Sequence, residues 1–230
     1  MKRRVGRPAA VAFDVIETLF SLESMRPRLV EAGLPATALE WWFARTLRDG
    51  FALAATGAFQ PFVRVAELAL AEVARSAGAG TGPGRVREIL AGLSSLEAHP
   101  DAEPALTRLA DAGVPVLALT NGAPATTRTL LVNAGLDRLV GQVVSIEDAG
   151  HWKPRPEVYR HAADRAGVPP GALALVAVHA WDVHGAVRAG LVAGWAGWLE
   201  GTFPTVFDRP HVQAQTLVQV AEGLLALPGL

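Results

Sequence analysis

The run Val11-Ala12-Phe13-Asp14-Val15-Ile16-Glu17-Thr18 ends an apolar stretch in a carboxylate and then supplies a hydroxyl. An Asp at the end of a hydrophobic strand costs free energy unless its surroundings satisfy it. At the C-terminal end of a strand in an open α/β sheet, it stands in the crevice where ligands bind. There it can attack a substrate as a nucleophile. Three more polar points follow apolar runs: Thr120-Asn121-Gly122, Lys153 in Gly150-His151-Trp152-Lys153-Pro154, and His179-Ala180-Trp181-Asp182. Singly, each has a plain structural explanation. Asn-Gly is turn chemistry, a lone lysine is a solvated charge, and an Asp beside a Trp marks a helix start with a core aromatic. In a parallel sheet, however, strand ends collect at one edge, which brings Asp14, Thr120, Asn121, Lys153 and Asp182 together.

The elements that must position these residues follow from periodicity. Residues 9–16 read as a buried strand. From 24 to 96 the pattern is helical without a strand candidate, with amphipathic helices over 39–48 and 62–70. The Gly-rich piece at 76–84 lacks the Lys-Ser/Thr and the preceding strand of a phosphate loop, and reads as a helix–helix connection. After Pro100 helices and strands alternate: helix 102–112, strand 114–119, helix 124–134, strand 139–144, helix 156–166, strand 173–178, helix 183–189 and strand 193–198. Such alternation implies βαβ units, hence an α/β fold with a mostly parallel sheet and helices on both faces. The organisation is discontinuous. A core formed by residues 1–20 and 98–230 carries a helical cap over 21–97. No internal repeat is evident.

Bulk properties narrow the classes. At 230 residues, 50% hydrophobic and 19% charged, the chain has ample apolar material for a core. A net charge of −1 gives no electrostatic case for nucleic acid or an anionic membrane surface. With no cysteine, thiolate catalysis, disulfides and Cys-based metal sites are excluded. Lys2-Arg3-Arg4 precedes an apolar run too short, and too soon broken by Asp14, for a signal peptide. No uncharged run approaches a membrane span. The expectation is a soluble, cytoplasmic protein with a small-molecule substrate.

The four motifs, in order and with a helical segment after the first, resemble those of the haloacid dehalogenase superfamily over essentially the whole chain. Phe13-Asp14-x-x-x-Thr18-Leu19 is similar to the first motif and Leu119-Thr120-Asn121-Gly122 to the second. Lys153-Pro154-x-Pro156-x-x-Tyr159 is similar to the third, and Trp181-Asp182-x-x-Gly185-Ala186 opens the fourth. The resemblance implies a Rossmann-like core, a helical cap closing over the site, and Asp14 as nucleophile. Most superfamily members transfer phosphoryl groups, with a second Asp as general acid and Mg²⁺ held partly by the fourth motif. Here those positions are Ile16 and Val178. Ile16 cannot protonate an alkoxide. Without a metal, a phosphate dianion meets Asp14 with a repulsion of about 4 kcal/mol per charge pair at 4 Å and an effective dielectric of about 20.

A halide leaving group needs neither proton nor metal. The resemblance is therefore closest to the metal-free 2-haloacid dehalogenases, and no cofactor is expected. It implies that Asp14 displaces halide from C2 of a short halogenated carboxylic acid, and that water then hydrolyses the aspartyl ester. It further implies that Thr18 and Thr120 orient Asp14 and that Lys153 stabilises the carboxylates. Asp182 helps activate water, and Asn121 contacts halide or substrate carboxylate. Tyr159 and Trp181 line the pocket, Tyr159 having core packing as its alternative. His179, with a reference pKa near 6.5, suits a base for water; a structural hydrogen-bonding role stands beside that reading. Glu17 replaces a usual Gly, and an ungapped count puts Phe43 where the family has a cap arginine, with Arg45 and Arg48 facing elsewhere. A phosphatase with a degenerate metal site and a non-catalytic carboxylate-binding protein remain as alternatives. The family often forms homodimers, with which an apolar cap edge is compatible.

Overall fold

The computed structural model describes residues 5–229; Lys2, Arg3 and Arg4 lie outside the described residues. Strand β1 (Ala10–Phe13) is apolar and buried throughout, as a strand covered on both faces must be. It ends at Phe13 rather than continuing to residue 16. A tight loop then leads to β2 (Phe20–Ser21). The helical insertion follows: α1 (Arg26–Glu31), α2 (Ala38–Thr56), α3 (Phe62–Ser76) and α4 (Pro83–Leu90). Strand β3 (Glu97–Ala98) pairs antiparallel with β2 and closes the insertion at its base. The alternating part comprises α5 (Ala102–Asp111), β4 (Val116–Thr120), α6 (Pro124–Asn133), β5 (Gln142–Ser145), α7 (Ile146–Ala149) and α8 (Pro156–Ala166). It continues through β6 (Leu173–Ala177), α9 (Ala180–Ala189), β7 (Val192–Ala196), β8 (Val212–Ala214) and α10 (Leu217–Leu225).

The main sheet has six parallel strands in the order β5-β4-β1-β6-β7-β8. From β1 the chain moves to β4 on one side and later returns to β6 on the other. The end of β1 is thus the point where strand order reverses, the place where open α/β sheets bind ligands. The elements beyond the predicted set are β2, β3, α7, β8 and α10. Strand β8 is short and half-exposed, so it carries little apolar pattern. Helix α10 is announced by Thr216 and Gln219, which form a reciprocal capping box. Helix α9 starts at Ala180, earlier than expected, so His179 is its N-cap residue.

The insertion is packed by its own stripe of small and large residues. Trp42, Thr46, Gly50 and Ala54 recur every fourth position of α2 and form a buried face. The Trp42 indole donates to the Ala66 carbonyl at 3.0 Å, joining α2 to α3. Trp152, from the loop before α8, donates to the Gln60 carbonyl at 2.8 Å and lies flat against Gly50. A Cβ at Gly50 would sit 2.4 Å from the Trp152 ring, so only glycine fits there. Among the described residues, no helix is long and apolar enough to cross a membrane.

Candidate active site

Asp14 leaves β1 between the ends of β4 and β6, and its N–H donates to the Val176 carbonyl at 3.0 Å. The following loop folds back sharply: Leu19 and Phe20 both donate to the Val15 carbonyl. The turn needs left-handed backbone at Glu17, with φ +68°, a conformation that glycine adopts without strain. Its product is the placement of Thr18. The Thr18 hydroxyl donates to Asp14 Oδ2 at 2.7 Å and accepts from the Val178 N–H at 3.2 Å. The loops after β1 and β6 are thereby tied together through the nucleophile's own partner.

Lys153 is fully buried and donates in three directions: to Asp14 Oδ1 at 3.0 Å, Asp182 Oδ2 at 2.8 Å and the Leu119 carbonyl at 2.7 Å. Burial alone would discharge the ammonium. The two carboxylates outweigh it and hold the Lys153 pKa above its ordinary value. Asp182 is likewise fully buried, and desolvation pushes its pKa up against the pull of Lys153. Both of its oxygens accept hydrogen bonds, one from Lys153 and the other from the Tyr159 hydroxyl at 2.6 Å, so we read it as a carboxylate. Burial, with the charges of Asp182 and Asp14, raises the Tyr159 pKa well above 10 and keeps its hydroxyl a donor.

Several expected positions are corrected. Tyr159 does not line the pocket; it is wholly buried behind Asp182 and positions that carboxylate. Thr120 borders the pocket, but its hydroxyl accepts from the Gly122 N–H at 2.9 Å rather than orienting Asp14. Asp182 reaches Asp14 only through Lys153 and is absent from the pocket wall. Asn121 and Trp181 do line it, with Ile16, Phe43, Leu47, Phe62 and His179. Arg45 pairs with Glu72 at 2.5 Å and Arg48 with Asp49 at 2.7 Å, so the α2 side chains beside the site are the apolar Phe43 and Leu47.

His179 departs most from expectation. Its Nε2 lies 3.3 Å from Glu17 Oε2 and its Nδ1 3.8 Å from Glu200 Oε1, while Glu200 also accepts the Ala180 N–H at 3.0 Å. The ring stacks on Trp181 at 5.6 Å, and Phe43 lies 6.0 Å away. Burial would lower the imidazole pKa, but Glu17 and Glu200, with help from Asp14, overcome it and raise it to about 10. The two flanking carboxylates thus favour the imidazolium and make His179 a donor rather than an acceptor toward the pocket. Glu17, in turn, is no free charge beside Asp14. The Glu17 approach is an ion pair without hydrogen-bond alignment, and buried His179 Nε2 and Asn121 Oδ1 have no hydrogen-bond partner. Two unsatisfied polar atoms on one small pocket wall are the ends to which a ligand would bond.

The residues present do not fit a divalent cation. The space between Asp14 and Asp182 is filled by the Lys153 ammonium. Val178 is buried and apolar, and no group of three metal-ligating side chains occurs among the described residues. The cavity directly over Asp14 is about 10 Å³, near the minimum for one water.

Comparison with known proteins agrees with this geometry. Residues 8–190 match the model of the haloacid dehalogenase-like hydrolase family. The chain is 31% identical over 183 residues to (S)-2-haloacid dehalogenase 4A of Burkholderia cepacia, covering 79% of each chain. It is 24% identical to the (S)-2-haloacid dehalogenase of Pseudomonas fluorescens, over 93% of this chain and 95% of that one. Among solved structures, the L-2-haloacid dehalogenase of Xanthobacter autotrophicus with chloropropionic acid covalently bound superimposes with a TM-score of 0.84. The match has 23% identity and covers 94% and 97% of the two chains.

Proposed function

The chain belongs to the haloacid dehalogenase-like hydrolases, and within that family we propose that it hydrolyses the carbon–halide bond of 2-haloacids. The observation that carries this is the pair Ile16 and Val178, apolar side chains where most of the superfamily has its general acid and a metal-binding carboxylate. Asp14 is left a nucleophile held by Thr18 and Lys153 alone. An alkoxide or phosphate leaving group would be unassisted there, whereas halide departs as a stable anion.

In the first step an Asp14 oxygen attacks C2 from the side opposite the halogen. The C–O ester bond forms as the carbon–halogen bond breaks, and halide leaves with the bonding pair. Thr18 and Lys153 hold the carboxylate in a fixed orientation, which lowers the entropic part of the barrier. The substrate anion is held by His179 Nε2–H, the cation on this pocket wall; Asn121 can join it only through its amide NH₂, because its unpartnered Oδ1 accepts rather than donates. Phe43, Leu47, Phe62 and Trp181 keep bulk water from competing. In the second step water adds to the ester carbonyl carbon of Asp14. Asp182 has no direct contact with the pocket, so it acts as proton acceptor only by relay through the Lys153 ammonium that joins it to Asp14; its raised pKa suits that end point. The acyl–oxygen bond breaks, the 2-hydroxy acid leaves, and the water oxygen remains in Asp14.

The test is halide release from 2-chloropropionate, with p-nitrophenyl phosphate as control, in Mg²⁺ and in EDTA. Metal-independent halide release is expected. Single turnover in H₂¹⁸O should place the label in Asp14, and Asp182→Asn should accumulate the ester adduct by mass spectrometry. Mg²⁺-dependent phosphate release without halide release would overturn the reading.

A further inference from the structure

A second cavity, of about 350 Å³, lies beside the pocket over Asp14. Ile16, Phe62 and Thr120 line both, so the two spaces share a wall rather than sitting on separate surfaces. The larger one runs between the insertion and the core, from Phe62 of α3, past Leu90 and Leu93, to Leu130 of α6. Its size is that of a small-molecule site, whereas the cavity over Asp14 has room for little more than one water. Its lining is mostly apolar. The charged residues on it are Glu67 and Arg87, of opposite sign, so the groove favours neither an anionic nor a cationic occupant.

We propose that this groove takes the alkyl tail of the substrate, and that the enzyme prefers 2-haloacids with longer apolar chains. The proposal rests on the 2-haloacid reading of the Asp14 site and names a substrate class within it. The reacting end is polar and needs Asp14, His179 and Asn121. The carbons beyond C2 need only apolar surface, which the groove supplies at the far side of Ile16. A tail of several methylenes also suits an elongated space between two packed bodies better than a methyl group does.

The experiment is a chain-length series: kcat/KM for 2-bromopropionate, 2-bromobutanoate, 2-bromohexanoate and 2-bromooctanoate. Each methylene moved from water into the groove should raise kcat/KM by about fourfold until the groove is filled. Thr126→Trp and Ser94→Trp place a bulky ring on the groove wall away from Asp14. Each should lower the ratio of hexanoate to propionate kcat/KM by about tenfold. Two variants on different elements guard against misfolding of either. Calorimetric binding of unhalogenated propanoate and hexanoate supplies a readout that needs no turnover. Tighter hexanoate binding that Thr126→Trp abolishes supports the groove, even if no haloacid is turned over and the reaction reading fails. Halide release that falls steadily with chain length, or a ratio unmoved by both substitutions, overturns the groove assignment while leaving the reaction intact.

Discussion

Two charged clusters meet Asp14, and they are built on opposite plans. Around Lys153 the acceptors are close and aligned, at 2.7 to 3.0 Å, and Lys153, Asp182 and Tyr159 are shut away from solvent. Around His179 the carboxylates stand off at 3.3 and 3.8 Å, and one ring nitrogen lacks an aligned partner. The first cluster has spent its hydrogen-bonding capacity internally, which is how a buried ion pair avoids the penalty of desolvation. The second retains unmet capacity on a pocket wall. Charge type and burial alone would not separate them. Bonding saturation does, and it distinguishes a group that holds the nucleophile from a group that waits for a ligand.

Substitutions can break this contrast at either end. Asp14→Ala should abolish halide release, a loss on the order of 10⁵-fold as expected for a removed covalent nucleophile, measured by halide electrode with folding checked by circular dichroism. Lys153→Met leaves two carboxylates without their shared cation. It should cost about 3–5 kcal/mol of stability in urea unfolding and lower kcat as well. His179→Gln should instead act on substrate: kcat/KM falls by about 30-fold, the scale of one hydrogen bond to a charged group. Most of that change should be in KM, with a smaller stability loss than Lys153→Met. Equal stability losses in the two variants would collapse the distinction.

The pH dependence sharpens it. His179 has a folded pKa of about 10 against about 6.5 in an unfolded chain, so protonation favours the folded state. That contribution is complete below about pH 6.5 and is lost as pH rises through about 10. Lys153 and Tyr159 are both shifted above their ordinary values. A rise in KM centred near pH 10 therefore belongs to His179 and should vanish in His179→Gln. The smallest expected effect is that of Glu17→Gly. Relief of the left-handed backbone is worth about 1 kcal/mol, and it opposes the loss of the ion pair to His179. Stability should barely move, while the alkaline limb of the KM profile shifts to lower pH.

What could be read from the chain follows a physical line. The core alternation was legible because buried parallel strands are continuous apolar runs, and the site because Asp14, Lys153 and Asp182 each stand just beyond such runs or in the loops between them. Elements of two or three residues, β2, β3 and β8, carry too few positions for any period to show. The position of Tyr159 depends on α8 packing beside α9, a tertiary fact that no local pattern encodes. The company of His179 was hidden for a related reason. Glu200 lies beyond β7 in the chain, and the left-handed turn that aims Glu17 is masked by its side chain, where a glycine would have betrayed it. The pKa of His179 follows from that company rather than from its residue type.

Trp152 and Lys153 are adjacent, yet their side chains leave the backbone for different bodies. The indole is wedged against Gly50 and hydrogen-bonded to Gln60 in the insertion, while the ammonium holds Asp14 in the core. One peptide link thus joins the packing of the insertion to the restraint of the nucleophile. A substitution that displaces the indole from Gly50 or Gln60 acts on the residue next to the one that holds Asp14, so the seating of the insertion and the orientation of the nucleophile are not independent.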